Sequence, residues 1–94
     1  MRIKGIIWLR DVVDKLIVKQ QVEVYEVEEL FGRKPKIRFM EKGKRNEEHV
    51  YLALGQSDAG RYLSVIFIHK QTDEALILSA REMAAKERKQ YDRK

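Results

Sequence analysis

The chemistry this sequence can do gathers around two arginines and a charged helix. The stretch Ile77–Lys94 reads ILSAREMAAKERKQYDRK, so an apolar run stops at Ser79 and Arg81 follows at once. Two helix starts fit the tail. Ser79 and Glu82 have capping-box spacing, whereas a start near Met83 leaves Arg81 in a turn. Either start places Arg81 beside both a strand end and a helix N-terminus, where unpaired N–H groups favour anions. A guanidinium fork there suits a phosphate. Arg61 follows the turn SDAG and stands near the start of another strand, which makes it a second candidate. Along the tail Lys86, Lys89 and Arg93 form a basic stripe, while Glu87 and Tyr91, four apart, share a helix face.

These residues need a scaffold. RIKGIIW reads as an opening strand. Leu9, Val12, Val13, Leu16 and Ile17 then fall at helical spacing. KQQVE interrupts the pattern. A second helix carries Val24, Val27, Leu30 and Phe31 on one face, with Gly32 at the C-terminal cap position and Pro35 preventing continuation. In the next strand Ile37 and Phe39 alternate with Lys36 and Arg38, predicting one buried and one wet face. EKGKRNEE reads as a polar loop and Val50–Leu54 as a strand. SDAG reads as a hairpin turn with Gly60 free to take positive φ. YLSVIFIH is apolar on both faces and belongs in the middle of the sheet. KQTDE is a turn, and ALILSA is the last strand before the terminal helix. The order β-α-α-β-β-β-β-α predicts one α+β domain over residues 1–94. A small antiparallel sheet of four to five strands carries the two early helices on one face, and a basic helix ends the chain.

Composition narrows the partners. Twenty Lys+Arg against 15 Asp+Glu give a formal charge of +5, which favours an anionic partner such as RNA, DNA or an acidic protein. The charges are segregated. Arg33–Arg45 holds one acid, Glu41, and Glu23–Glu29 holds no base. The chain has no cysteine, which removes disulfides and thiolate metal sites and suits a reducing cytoplasm. No apolar run approaches the ~20 residues of a membrane span, and Arg10, Asp11 and Asp14 interrupt the N-terminal run too early for a signal peptide. Two histidines, His49 and His69, form a poor metal set; both flank turns, and the expectation for each is a structural or solvated role.

The motifs in this order resemble the BrnT family, toxins of bacterial type II toxin–antitoxin pairs with a RelE-like fold. LGQSDAGRYLSVIF is similar to the family's Gly-Arg-Thr-Asp-x-Gly-Arg hairpin, and ILSAREMAAKERKQY to its Ile-Ser-Ala-Arg stretch followed by Glu-Arg-x-x-Tyr. The matching positions are Gly55, Asp58, Gly60, Arg61, Ser79, Ala80, Arg81, Glu87, Arg88 and Tyr91. Upstream, Trp8, Lys19, Val22 and Phe31 also match. The family's Lys-His-Gly is Lys19, Gln20, Gln21 in this chain, so its histidine is absent. Val12 and Leu16 fill two positions that are polar in the family, Gln56 stands for a hairpin arginine, and Ala84 stands for a threonine.

The resemblance implies a cytoplasmic, metal-independent endoribonuclease that cleaves mRNA without a cofactor. It also implies a cognate ribbon-helix-helix antitoxin, contact with DNA only through that antitoxin, and no membrane partner. Cleavage of this kind uses the 2′-OH as nucleophile and needs a base, an acid for the leaving oxygen, and cations for the developing charge. Arg61 and Arg81 are the expected charge stabilisers, converging at one rim of the sheet. Glu87 is the candidate base. Tyr91 and Lys86 are candidate acids that require lowered pKa values. Trp8 offers a stacking surface, and Lys19, Lys86 and Lys89 offer phosphate contacts. The alternative is a catalytically weakened RNA- or protein-binding module on the same fold, favoured by Gln20 and Gln56.

Overall fold

A computed structural model describes residues 1–44 and 48–93; residues 45–47 of the expected polar loop, and Lys94, lie outside the described residues. The elements are β1 (Gly5–Ile7), α1 (Arg10–Lys15) running into a π-helical turn (Leu16–Gln20), α2 (Val24–Gly32), β2 (Lys36–Glu41), β3 (Val50–Gln56), β4 (Tyr62–His69), β5 (Glu74–Glu82) and α3 (Ala85–Asp92). They form one α+β unit with a five-stranded sheet in the order β1-β5-β4-β3-β2. The doubly apolar segment, β4, is the central strand, as its composition requires. The sheet is mixed rather than antiparallel throughout: β1 runs parallel to β5, with Gly5 opposite Glu74 and Ile7 opposite Leu76. Only three residues make this pairing, so a strand-length pattern in the sequence carries no information about its direction.

The core lies between the early helices and one face of the sheet. Leu16, Val22, Val27 and Leu30 pack on Ala53, Leu63, Val65, Phe67, Ala75, Ile77 and Ala80. Phe31 meets Phe67 edge-on at 5.2 Å between centroids. α2 comes close to β3 at Gly55, where a Cβ would stand 3.0 Å from Leu30 Cγ and 3.2 Å from Pro35 Cβ; an added methyl there would press on both side chains, which would have to give way. Phe39 departs from the alternation. It is 59% exposed, and its ring sits edge-on to His49 and Tyr51 at the open edge of the sheet.

Helix ends differ from expectation in an instructive way. Gly32 is still helical, Arg33 is the C-cap, and Lys34 takes the left-handed conformation (φ 53°). Gln21, the position of the family's glycine, is also left-handed (φ 53°, ψ 38°), and its N–H donates to Leu16 O as it closes the π-helical turn. A side chain in this region is strained, whereas glycine is not. Gln21→Gly is therefore expected to raise stability by about 0.5–1 kcal/mol after the entropic cost of glycine in the unfolded chain is counted; urea unfolding would measure it. The glycine in the turn between β3 and β4 meets its expectation, with Gly60 at φ 89° and its N–H donating to Ser57 O at 2.9 Å.

Candidate functional site

α3 lies on the sheet face opposite the core. Residues paired across strands share a face. Lys36 pairs with Leu54 and Arg38 with Leu52, Leu54 with Ser64, and Ser64 with Arg81, so these side chains form a second face. α3 is anchored to it mainly by polar contacts. Lys36 Nζ donates to the carbonyls of Tyr91 and Arg93, and Arg38 donates to Gln90. Tyr91 sets its ring edge-on to Tyr62, and Arg88 stacks over Tyr62 with its guanidinium carbon 3.9 Å from the ring centre. No α3 residue is buried. The result is a cationic, aromatic face built from Lys36, Arg38, Tyr62, Arg81, Arg88 and Tyr91.

Arg81 is neither in a turn nor at a helix start. β5 continues through Glu82, and α3 opens only at Ala85 with Ala84 as its N-cap, so the expected Ser79–Glu82 capping box does not form. Strand pairing holds this stretch: Ala80 pairs with Val65 and Glu82 with Leu63. Glu87 reaches back instead, accepting the Ala84 N–H at 2.8 Å. The same carboxylate takes Arg81 in a fork, with Nη1 to Oε1 at 2.7 Å and Nη2 to Oε2 at 2.9 Å, and accepts the Ser64 hydroxyl at 3.2 Å.

Partial burial pushes the Glu87 carboxyl up. The Arg81 hydrogen bonds and charge, with the Ala84 N–H and the Ser64 hydroxyl, outweigh it and hold the carboxyl below its ordinary value. A weakened proton acceptor of this kind suits an anchor better than a general base at neutral pH. Because the folded-state value lies below the unfolded one, folding sheds protons here. The stabilisation is complete above the unfolded carboxylate value of about 4.3 and is lost as pH falls through the folded value. Glu87→Gln is expected to flatten this part of the acid limb, as read from urea unfolding of both proteins over an acid pH series.

Arg61 faces the other way. Its Nη1 donates to Gln21 O at 2.7 Å and to Glu26 Oε1 at 2.9 Å, and its Nε donates to Glu82 Oε1 at 3.0 Å. Gln21 and Glu26 belong to the helix layer, so the expected convergence of Arg61 and Arg81 on one rim is corrected: they stand at the same end of the sheet on opposite faces. Register explains this, since Leu63 opposite Glu82 points into the core while Ser64 opposite Arg81 points to α3. Each arginine is already held by carboxylate.

The remaining candidates scatter. Lys86 and Lys89 are exposed on α3. Lys19 is exposed on the π-helical turn, where it lines a small cleft with Lys15, Gln20 and Ser79. Trp8 packs against the core, and its buried Nε1 has no hydrogen-bond partner among the described residues. His49 lies 3.0 Å from the Gly43 N–H through Nδ1, and His69 Nε2 lies 3.1 Å from Asp73. Arg88 is the residue that helical spacing undervalued: the stripe of Lys86, Lys89 and Arg93 ranks charges by position, whereas the aromatic partner of Arg88 lies on another strand.

Among solved structures, the chain is similar to the crystal structure of the Brucella abortus ribonuclease toxin BrnT, with a TM-score of 0.61 at 17% identity over 85% of this chain and 96% of that one. No family model and no curated protein matches the sequence. The likeness establishes a shared fold. Among the described residues no helix is long and apolar enough to cross a membrane.

Proposed function

We propose that this protein is a toxin-type endoribonuclease, metal-independent, acting on single-stranded mRNA in the bacterial cytoplasm and silenced by a cognate antitoxin. The likeness in fold to a ribonuclease toxin, spanning most of both chains, carries the reading. The cationic face beside α3 supports it: Lys36, Arg38, Arg81 and Arg88 meet a polyanion, and Tyr62 and Tyr91 add aromatic surface of the kind that holds unpaired bases. Arg81 is the charge stabiliser in this reading. RNA displaces the Glu87 carboxylate from its fork, and the phosphate takes the same two N–H groups. A ribbon-helix-helix antitoxin would silence the enzyme by covering this face, and DNA would be reached only through it.

One observation favours a second reading, an RNA-binding module without catalysis. Both Arg61 and Arg81 are chelated by carboxylates, and among the described residues no second arginine bonds to the Glu87 carboxylate that holds Arg81. One experiment separates the two. Long single-stranded RNA is incubated with the protein in EDTA, beside Arg81→Ala. Cleavage by the parent that the substitution suppresses supports the nuclease; retention without cleavage supports the module. Binding in either case should weaken steeply with salt.

A further inference from the structure

The arginines that spacing singled out are committed; the one best prepared to grip a phosphate is Arg88. Its guanidinium face is occupied by the Tyr62 ring, yet its side chain makes no hydrogen bond or ion pair among the described residues. Stacking uses the face of a guanidinium and leaves the five N–H groups around its edge available. The aromatic contact therefore fixes the plane without spending the donors, which lowers the ordering cost of binding. Arg88 lines a cleft of about 270 Å³ with Gly60, Arg61, Tyr62, Glu82 and Met83. In the same cleft Arg61 is pinned through Nε and Nη1 to three acceptors, which leaves Nη2 as an uncommitted donor of fixed direction.

We propose that this cleft is the phosphate seat for single-stranded RNA, with Arg88 gripping a backbone phosphate through its edge and Arg61 Nη2 as the second donor. The proposal rests on the ribonucleic-acid reading above and adds the residue that holds the substrate. Glu82 supplies a distinctive signature. Its carboxylate, 67% exposed, lies in the cleft wall beside Arg61 and repels the incoming anion. A structural account of Arg88 assigns no effect on RNA affinity to Glu82, whereas a phosphate seat predicts tighter binding when its charge is removed.

The test uses the whole chain and a fluorescein-labelled 2′-O-methyl oligoribonucleotide, which binds but offers no 2′-OH for cleavage. Anisotropy titrations compare the parent with Arg88→Ala, Arg88→Lys, Glu82→Gln and Arg10→Ala; the last removes equal charge from α1. The expected result is a loss of at least about tenfold for Arg88→Ala, the scale of one charge-assisted contact. Arg88→Lys should recover it only partly, because an ammonium lacks the fork. Glu82→Gln should bind more tightly and Arg10→Ala close to the parent. Equal losses for Arg88→Ala and Arg10→Ala, or weaker binding by Glu82→Gln, overturn the seat. If Arg88 controls binding but unmodified RNA survives in EDTA, the seat stands and the nuclease reading falls. If RNA is cut while Arg88→Ala binds as the parent does, the seat falls and the nuclease reading stands. Absence of binding by the parent overturns both.

Discussion

Arg81→Ala should slow RNA cleavage by about 10²–10³-fold, equivalent to roughly 2.7–4 kcal/mol of transition-state stabilisation, the scale of one lost preorganised donor. The geometry says why the effect should fall on the rate. Once the phosphate has replaced the Glu87 carboxylate, the Glu82 carbonyl still accepts from Arg81 Nη1 at 3.0 Å, so part of the donor's direction is fixed before the chemical step. Charge that grows on a phosphorane-like centre draws on this donor more strongly than the ground-state phosphate does, so kcat should fall and KM should change little. Arg81→Lys should recover only part of the rate because it presents one point charge instead of a planar fork. Glu87→Gln tests the same pair from the other side. It leaves an oxygen to accept the Ala84 N–H but cannot chelate the guanidinium as an anion, so RNA should compete for Arg81 more successfully. Single-turnover cleavage with the parent and the three variants separates these effects. If Arg81→Ala changes only affinity, the arginine holds RNA without driving chemistry, as the binding-module reading requires.

The parts of this molecule that local pattern controls were legible in the sequence. β4 is apolar on both faces because it has neighbours on both edges and side chains buried on both sides; the seven uncharged residues Tyr62–Ile68 before His69 announce that. Gly60 and the element order follow from turn chemistry and periodicity in the same way. What stayed hidden depends on partners far along the chain. β5 carries an irregularity between the Ile66–Ser79 and Phe67–Ile77 pairs, and a shift of this kind redirects every later side chain. Which face Arg81 takes is set there, and no alternation count through Leu76, Leu78 and Ala80 reveals it. The partners of Arg61, Gln21 and Glu26, lie on the helix layer 40 and 35 residues earlier. Helical spacing groups Lys86, Lys89 and Arg93 and is silent on what Arg88 touches, because its partner Tyr62 lies on β4. The BrnT resemblance pointed to the correct fold while leaving these couplings unstated, and they are the features on which the chemistry turns.

Glu26→Ala should cost about 2–3 kcal/mol of stability and lower Tm by roughly 10–20 °C. Glu26 is only 7% exposed, and one oxygen does two jobs, accepting the Glu23 N–H at 3.0 Å and Arg61 Nη1 at 2.9 Å. Truncation therefore removes a helix-start hydrogen bond, worth about 1 kcal/mol, and leaves a half-buried guanidinium short of its most buried counter-ion. Removing one member of a buried pair commonly costs about 3–5 kcal/mol; the expected value is lower because Arg61 keeps Glu82 and the Gln21 carbonyl. Glu26→Gln retains an oxygen for both donors and should cost only about 1 kcal/mol. The double variant Glu26→Ala with Arg61→Ala should be less destabilised than the two single losses added together, since no charge is then left unpaired. Urea unfolding of the four proteins completes the cycle, and strict additivity would mean that the pair does not act as a unit.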